Sequence, residues 1–99
     1  MILMRFIPVN AKENIRDLIN KQELNIIVVS ERNTKRGDFR VYNNGLKKIT
    51  LNQDSNKFRF LITLLHEISH QLVFQTFGNK VRPHGIEWKK IFKEISKPF

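Results

Sequence analysis

The sequence predicts an α+β domain in which one helix and a small three-stranded sheet precede two further helices. Apolar residues recur at helical spacing near both ends of the chain, and a β-branched run occupies residues 24–30. Asn43-Asn44-Gly45 separates two further short segments and is a strong hairpin signal. Since the chain has 99 residues, of which 40% are hydrophobic, we expect one domain over residues 1–99 with a single packed core.

The first helix is predicted at residues 11–22. Ile15, Leu18 and Ile19 lie on one side of this segment and charged residues on the other, which is typical of a surface helix. Asn10 precedes it and is the predicted N-cap.

The sheet is predicted to be small and antiparallel or mixed. Its first strand is the β-branched run at residues 24–30. Residues 31–38 are polar and contain Gly37, so they are predicted to form a turn. The second and third strands, residues 39–42 and 48–51, are expected to pair through the Asn-Gly turn.

The longest helix is predicted at residues 57–77, with Asp54 or Ser55 as its cap and Gly78 as its end. It is apolar on nearly every side and is therefore predicted to be buried. Its apolar residues are Leu61, Ile62, Leu64, Leu65, Ile68, Leu72, Val73, Phe74 and Phe77. No Lys or Arg occurs within residues 60–79, and the polar face is expected to form the floor of a cleft.

A last helix is predicted after Pro83. Four apolar residues share its inner face: Trp88, Ile91, Phe92 and Ile95. Four basic residues fall mostly on its opposite face: Lys89, Lys90, Lys93 and Lys97.

The long helix contains His66-Glu67-Ile68-Ser69-His70, an HExxH pattern. Residues i and i+4 lie one turn apart on a helix, so both imidazoles can reach one metal ion. Glu67 lies beside that face, where its carboxylate can act as a general base toward water. Because the chain has no cysteine, a metal must be held by His, Asp or Glu, and neutral imidazoles suit zinc.

A catalytic zinc usually has three protein ligands and one open position. The third ligand is predicted to be His84, because it is the one remaining histidine and follows the long helix. Glu87, three residues later, is the competing candidate. We therefore predict a minimal zincin-like domain, with the sheet packed on the HExxH helix and the last helix supplying the third ligand.

The predicted reaction is metal-assisted peptide hydrolysis, with Glu67 moving the proton to the leaving amine. The alternative is a non-catalytic, zinc-stabilised DNA-binding module. Glu67 argues against a purely structural zinc, since such a site needs no base.

HExxH followed by His84-Gly85-Ile86-Glu87-Trp88 resembles the SprT-like metallopeptidases, the family that includes Spartan. The resemblance covers residues 24–95, including Arg32, Thr34, Lys35 and Gly37 and the stretch Ile49-Thr50-Leu51-Asn52. It implies that His66, His70 and His84 bind zinc, that Glu67 is the base, and that Gly85 and Trp88 are packing positions. It also implies substrates that are proteins bound or crosslinked to DNA.

Two features set this chain apart from that pattern. SprT-like proteins commonly carry a Cys-rich zinc ribbon or another DNA-binding segment after the protease core, whereas this chain has no cysteine. The chain is also similar to the minigluzincins, small single-domain peptidases in which the third ligand is a Glu, a likeness that favours Glu87 as ligand.

The net charge of +9 favours a polyanionic partner, with nucleic acid as the first candidate. Residues 32–48 carry a net charge of +5 and residues 80–97 a net charge of +4. We expect weak binding without sequence preference; an equally compatible interpretation is a solvated basic surface. No apolar run is long enough to span a membrane and the N-terminus is not typical of a signal peptide, so the cytoplasm is the expected location.

Overall fold

A computed structural model of the protein describes residues 2–30 and 35–99. Two short 3₁₀ turns, Ile2–Phe6 and Val9–Ala11, come first. They are followed by helix α1 (Lys12–Gln22), strands β1 (Ile26–Val29), β2 (Gly37–Val41) and β3 (Lys47–Asn52), and helices α2 (Lys57–Phe77) and α3 (Ile86–Ser96). The order of elements confirms the predicted α+β class, with three helices and a three-stranded sheet in the described residues.

The sheet is mixed, with strand order β1-β3-β2. β1 runs parallel to β3, and β2 pairs with β3 antiparallel through the predicted hairpin. Gly45 has a φ of 85°, which its turn position requires, and its N–H donates to the Tyr42 carbonyl at 2.9 Å. Residues 37 and 38 belong to β2, so their prediction as turn was wrong; residues 31–34 of that segment lie outside the described residues.

The core lies between the sheet and α2. Ile49 and Leu51 project from β3 and are fully buried, as are Leu64 and Ile68 of α2. The N-terminal segment closes the core with Leu3, Met4 and Ile7. No structural role was predicted for this segment, because so short an apolar stretch shows no helical or strand periodicity.

Helix α2 begins and ends close to the predicted bounds but is not buried on every side. The sheet and the N-terminal turn pack against it, and α3 packs across it. Ile62 is 58% exposed and Phe77 is 39% exposed, so the prediction that they are buried was wrong. Both lie on the part of the helix surface that these elements leave uncovered.

The predicted N-cap of α1 was also wrong. Asn10 lies inside the 3₁₀ turn Val9–Ala11, and Ala11 occupies the cap position without a side-chain hydrogen bond. The Ala11 N–H already donates to the Pro8 carbonyl at 2.9 Å. Because the 3₁₀ turn runs directly into α1, Asn10 is not at the N-cap position, where a side-chain oxygen could accept from the first N–H groups of the helix.

The cap of α2 is Asn56, rather than Asp54 or Ser55. The Asn56 side chain accepts a hydrogen bond from the Arg59 N–H at 3.0 Å. Asp54 is engaged elsewhere: it accepts from the Arg59 guanidinium at 2.6 and 2.8 Å and from the Asn56 N–H. The hydrogen bond from Arg59 lowers the pKa of Asp54 to about 2.

Helix α3 lies with its apolar face on α2 and its lysines outward. Trp88, Ile91, Phe92 and Ile95 are half-buried. Lys89, Lys90, Lys93 and Lys97 are exposed, which confirms the predicted division of the two faces. In the described part of the chain, no helix combines the length and hydropathy that crossing a membrane requires.

Candidate metal centre

The first two histidines of the centre are presented by one face of α2. His66 and His70 are one helical turn apart, and their Nε2 atoms lie 3.2 Å from each other. Both side chains are half-buried, on the side of α2 that α3 crosses. This is the arrangement that the HExxH spacing predicts for a helix.

His84 reaches the same point from a tight turn before α3, so the prediction that the last helix itself carries this residue was wrong. The Gly85 N–H donates to the Arg82 carbonyl at 3.1 Å, which closes the turn Arg82-Pro83-His84-Gly85. His84 has a φ of 60°. Proline at the second position and a positive φ at the third identify a type II turn, where Gly or Asn is the usual third residue. A histidine held in this uncommon conformation points to a functional constraint.

The three Nε2 atoms form a nearly equilateral triangle. The Nε2 of His84 lies 3.0 Å from that of His70 and 3.0 Å from that of His66. Three ring nitrogens cannot all be hydrogen-bonded to one another, because any distribution of protons leaves two lone pairs or two N–H groups facing each other. One shared cation satisfies all three nitrogens at once.

The spacing also fits zinc. Three nitrogens that each lie about 2.0–2.1 Å from one zinc ion at tetrahedral angles are about 3.3–3.4 Å apart. The observed separations of 3.0–3.2 Å are within a few tenths of an ångström of that value. Among the described residues, the cluster of side chains that could hold a metal ion consists of His66, His70 and His84. It does not include Glu87.

The environment keeps the α2 histidines in the neutral form that metal binding requires. Burial, with a smaller contribution from His66 and His84, lowers the pKa of His70 from 6.5 to about 4. Burial followed by repulsion from His84 lowers the pKa of His66. Both imidazoles are therefore free to donate a lone pair at neutral pH.

Trp88 forms an aromatic wall beside the three histidines. Its ring centroid lies 4.9 Å from those of His66 and His84 and 5.7 Å from that of His70. The indole N–H donates to the His66 carbonyl at 3.3 Å, and the ring stacks on Phe92 at 4.9 Å. Trp88 thus ties α3 to the HExxH turn. It is also the single tryptophan of the chain, so its fluorescence reports on this site.

Glu67 lies next to His66 but faces the sheet. Its side chain is 7% exposed and contacts the start of β2, where a Cβ added to Gly37 would lie 3.0 Å from Glu67 Oε2. The close approach of Gly37 was not predictable from local sequence. The resemblance included this glycine without assigning it a role, and the packing of β2 on α2 supplies the reason.

The comparisons with known proteins agree with this geometry. The sequence profile of the SprT-like family matches residues 10–99, which is nearly the whole chain. The chain belongs to the SprT-like family. The resemblance stated from the sequence is thereby confirmed, although Arg32 and Thr34 lie outside the described residues.

Relatives within the family include Protein SprT of Glaesserella parasuis, 44% identical over 50 residues that make up 50% of this chain and 31% of that protein. Protein SprT of Pseudomonas paraeruginosa is 46% identical over 33 residues, covering 33% of this chain and 20% of the relative. Protein SprT of Pseudomonas fluorescens is 39% identical over a segment of the same length. The aligned segments span less than a third of each of these relatives.

The lowered pKa values predict acid sensitivity of this SprT-like chain in its metal-free form. The unfolded chain takes up a proton on each histidine near pH 6.5, whereas folded His70 does so only near pH 4. His70 therefore does not change the free energy of unfolding with pH above about 6.5. As the pH falls from there to about 4, the unfolded chain binds the proton more readily and the free energy of unfolding decreases. Urea unfolding of chelator-treated protein should show this loss between pH 7 and pH 5.

His70→Gln is the matching variant, since glutamine cannot titrate; it should reduce the pH dependence to the part that comes from His66. The Asp54 carboxylate does not interfere, because its pKa shift from 3.8 to about 2 affects stability only at lower pH. Equal stability of the metal-free wild type at pH 7 and pH 5 would contradict the expected burial of neutral His70.

Proposed function

We propose that this chain is a zinc metallopeptidase core in which His66, His70 and His84 hold the metal and Glu67 is the general base. The observation that carries the proposal is the triangle of three Nε2 atoms at 3.0–3.2 Å, with a buried glutamate, Glu67, next to His66 in the chain. A purely structural zinc would use the histidines without needing Glu67. Membership in the SprT-like family supports the same chemistry.

Zinc, when bound, supplies Lewis acidity toward a carbonyl oxygen and lowers the pKa of a bound water to about 7. The chain supplies the remaining requirements. The three imidazoles fix where the substrate carbonyl must lie, and Glu67 accepts the proton of the attacking water. The same carboxyl group then donates that proton to the departing amine, since one residue on the correct side can serve both steps.

The position of β2 favours an extended peptide as substrate. β2 is an edge strand of the described sheet, because it pairs only with β3 there. It begins at Gly37, against Glu67. A peptide added to this edge by main-chain hydrogen bonds would pass next to the carboxylate. We therefore propose an unfolded or extended protein segment, rather than a folded surface, as the substrate.

Cleavage of an unstructured protein by the zinc-loaded chain is the direct test. We expect chelation to abolish cleavage and added zinc to restore it. Binding of DNA with no cleavage of any bound or free protein would instead support the non-catalytic, zinc-stabilised DNA-binding module.

The charge distribution supports proteins bound to DNA as the substrate class. The exposed face of α3, the helix that follows His84, carries Lys89, Lys90, Lys93 and Lys97. The net charge of the chain is +9. Phosphate contacts by such side chains give affinity without base recognition.

DNA binding by this lysine face has a measurable salt dependence. Each neutralised phosphate contributes about −0.9 to the slope of log K against log salt on duplex DNA. Lys89→Ala, Lys90→Ala and Lys93→Ala together should reduce the slope by up to about 3, with zinc content and stability nearly unchanged. Fluorescence anisotropy with a labelled duplex at several salt concentrations measures it. Salt-independent binding, or no binding at low salt, would remove nucleic acid from the proposal.

A further inference from the structure

Gly37 lies so close to α2 that a side chain at this position would collide with Thr63 and press tightly on the proposed base. A Cβ built on Gly37 lies 3.0 Å from Glu67 Oε2, 3.1 Å from Glu67 Cγ and 2.8 Å from Thr63 Cγ2. Separations below about 3.0 Å require atoms to move. The Glu67 side chain therefore packs directly on the main chain of β2.

The Gly37 main chain cannot easily move away. Gly37 pairs with Leu51 of β3, a fully buried residue in the middle of the core. The two residues that precede Gly37, Lys35 and Arg36, are held by two hydrogen bonds from Asn52. Its main-chain N–H donates to the Arg36 carbonyl at 2.9 Å, and its side-chain amide donates to the Lys35 carbonyl at 2.8 Å.

The α2 side of the contact is equally constrained. The Thr63 hydroxyl donates to the Arg59 carbonyl at 3.0 Å, which fixes its rotamer and leaves the Thr63 methyl group facing Gly37. Thr63 and Glu67 are one helical turn apart, so the methyl group and the carboxylate side chain are neighbours on α2. The Glu67 side chain thus lies between Gly37 of β2 and the turn of α2 that carries Thr63.

We propose that Gly37 is a positioning residue: its missing side chain leaves the space that the Glu67 carboxylate occupies against β2. This inference rests on the proposed peptidase function, because it concerns the group assigned as the base. It adds a residue from the sheet to a site otherwise built from α2 and the turn before α3. Catalysis is sensitive to such positioning, since a misplacement of about 1 Å can cost about 100-fold in rate.

The test is Gly37→Ala in the zinc-loaded protein. We expect kcat to fall by up to about 100-fold while KM changes little, because the added methyl group points toward α2 and away from the sheet edge. Zinc should remain at one ion per chain. The crystal structure of the variant should show the Glu67 carboxylate displaced from its position against β2.

Two further variants separate positioning from loss of stability. Gly37→Ala with Thr63→Ser removes the methyl group behind the 2.8 Å contact but keeps the tight contact with Glu67. Compared with Gly37→Ala, this double variant should regain stability yet keep the low kcat. Gly45→Ala is the matched control: its φ of 85° makes an alanine strained, and nothing lies within 4 Å of the added methyl group. It should lower the melting temperature and leave kcat unchanged.

The outcomes distinguish the inference from the proposed function. If wild type cleaves, Glu67→Gln does not, and Gly37→Ala cleaves as fast as wild type, the positioning role is wrong and the peptidase proposal stands. If the double variant regains both its stability and the wild-type kcat, the positioning role is also wrong. If wild type itself cleaves no protein, the proposed function fails instead. If Gly37→Ala does not fold, kcat and zinc content are measured on the double variant instead.

Discussion

Glu67→Gln is expected to lower kcat by about 10²–10⁴-fold while the protein still binds one zinc ion per chain. Glutamine has nearly the shape of glutamate, so it fits the same space against Gly37. Its amide cannot accept the proton of the attacking water or return it to the leaving amine. The three imidazoles are unchanged, so zinc affinity should stay within a few-fold of the wild-type value.

The measurement is single-turnover cleavage of a labelled unstructured protein, with zinc content determined on the same sample. Glu94→Gln is a matched control, since it makes the same chemical change on the exposed face of α3, where Glu94 pairs only with Lys97 at 3.2 Å in the described residues. We expect the control to cleave at the wild-type rate. Wild-type cleavage by Glu67→Gln would show that another group is the base.

The parts of the site that the sequence predicted are those fixed by local geometry. The spacing of His66 and His70 determines their common face once the segment is helical, and Gly78 with a φ of 65° ends that helix where predicted. The Asn-Gly hairpin is equally local. Whether His84 lies close to His66 and His70 depends on how α3 packs on α2, which local geometry does not fix. His84 was predicted as the third ligand because it is the one remaining histidine of the chain.

The predictions that failed depended on contacts between distant segments or on competing local hydrogen bonds. Asp54 could serve as a cap by residue type, but its carboxylate accepts from the Arg59 guanidinium, and Asn56, two residues later, accepts from the Arg59 main-chain N–H instead. The exposure of Ile62 depends on which sides of α2 the sheet and α3 cover. The role of Gly37 appears only when β2 lies on α2, because a glycine in a polar segment looks locally like a turn.

His84→Asn is expected to separate metal binding from folding. The type II turn requires a positive φ at residue 84, and asparagine adopts this conformation more readily than histidine. The metal-free variant should therefore be at least as stable as the metal-free wild type, with a gain of up to about 1 kcal/mol. Zinc affinity should fall by more than the roughly 10–100-fold that follows from losing a residue that only supports a metal ligand.

These two effects oppose each other in a thermal unfolding experiment. At free zinc 100-fold above Kd, the wild type gains about 2.7 kcal/mol, whereas a 100-fold weaker variant gains only about 0.4 kcal/mol at the same concentration. For a domain of this size, the zinc-dependent rise in Tm should shrink from about 10–20 °C to a few degrees. Trp88 fluorescence, measured during zinc titration, gives the affinities independently.

Glu87→Gln decides between the two candidates for the third ligand. Glu87 lies in the first turn of α3 and is not part of the histidine triangle. We therefore expect the variant to keep wild-type zinc affinity and the full zinc-dependent rise in Tm. Because the Nε2 of His84 lies 3.0 Å from both other histidine nitrogens, a cation held by His66 and His70 must also be within reach of His84. Loss of zinc in Glu87→Gln, together with its retention in His84→Asn, would assign the third position to the carboxylate and contradict the geometry of the turn.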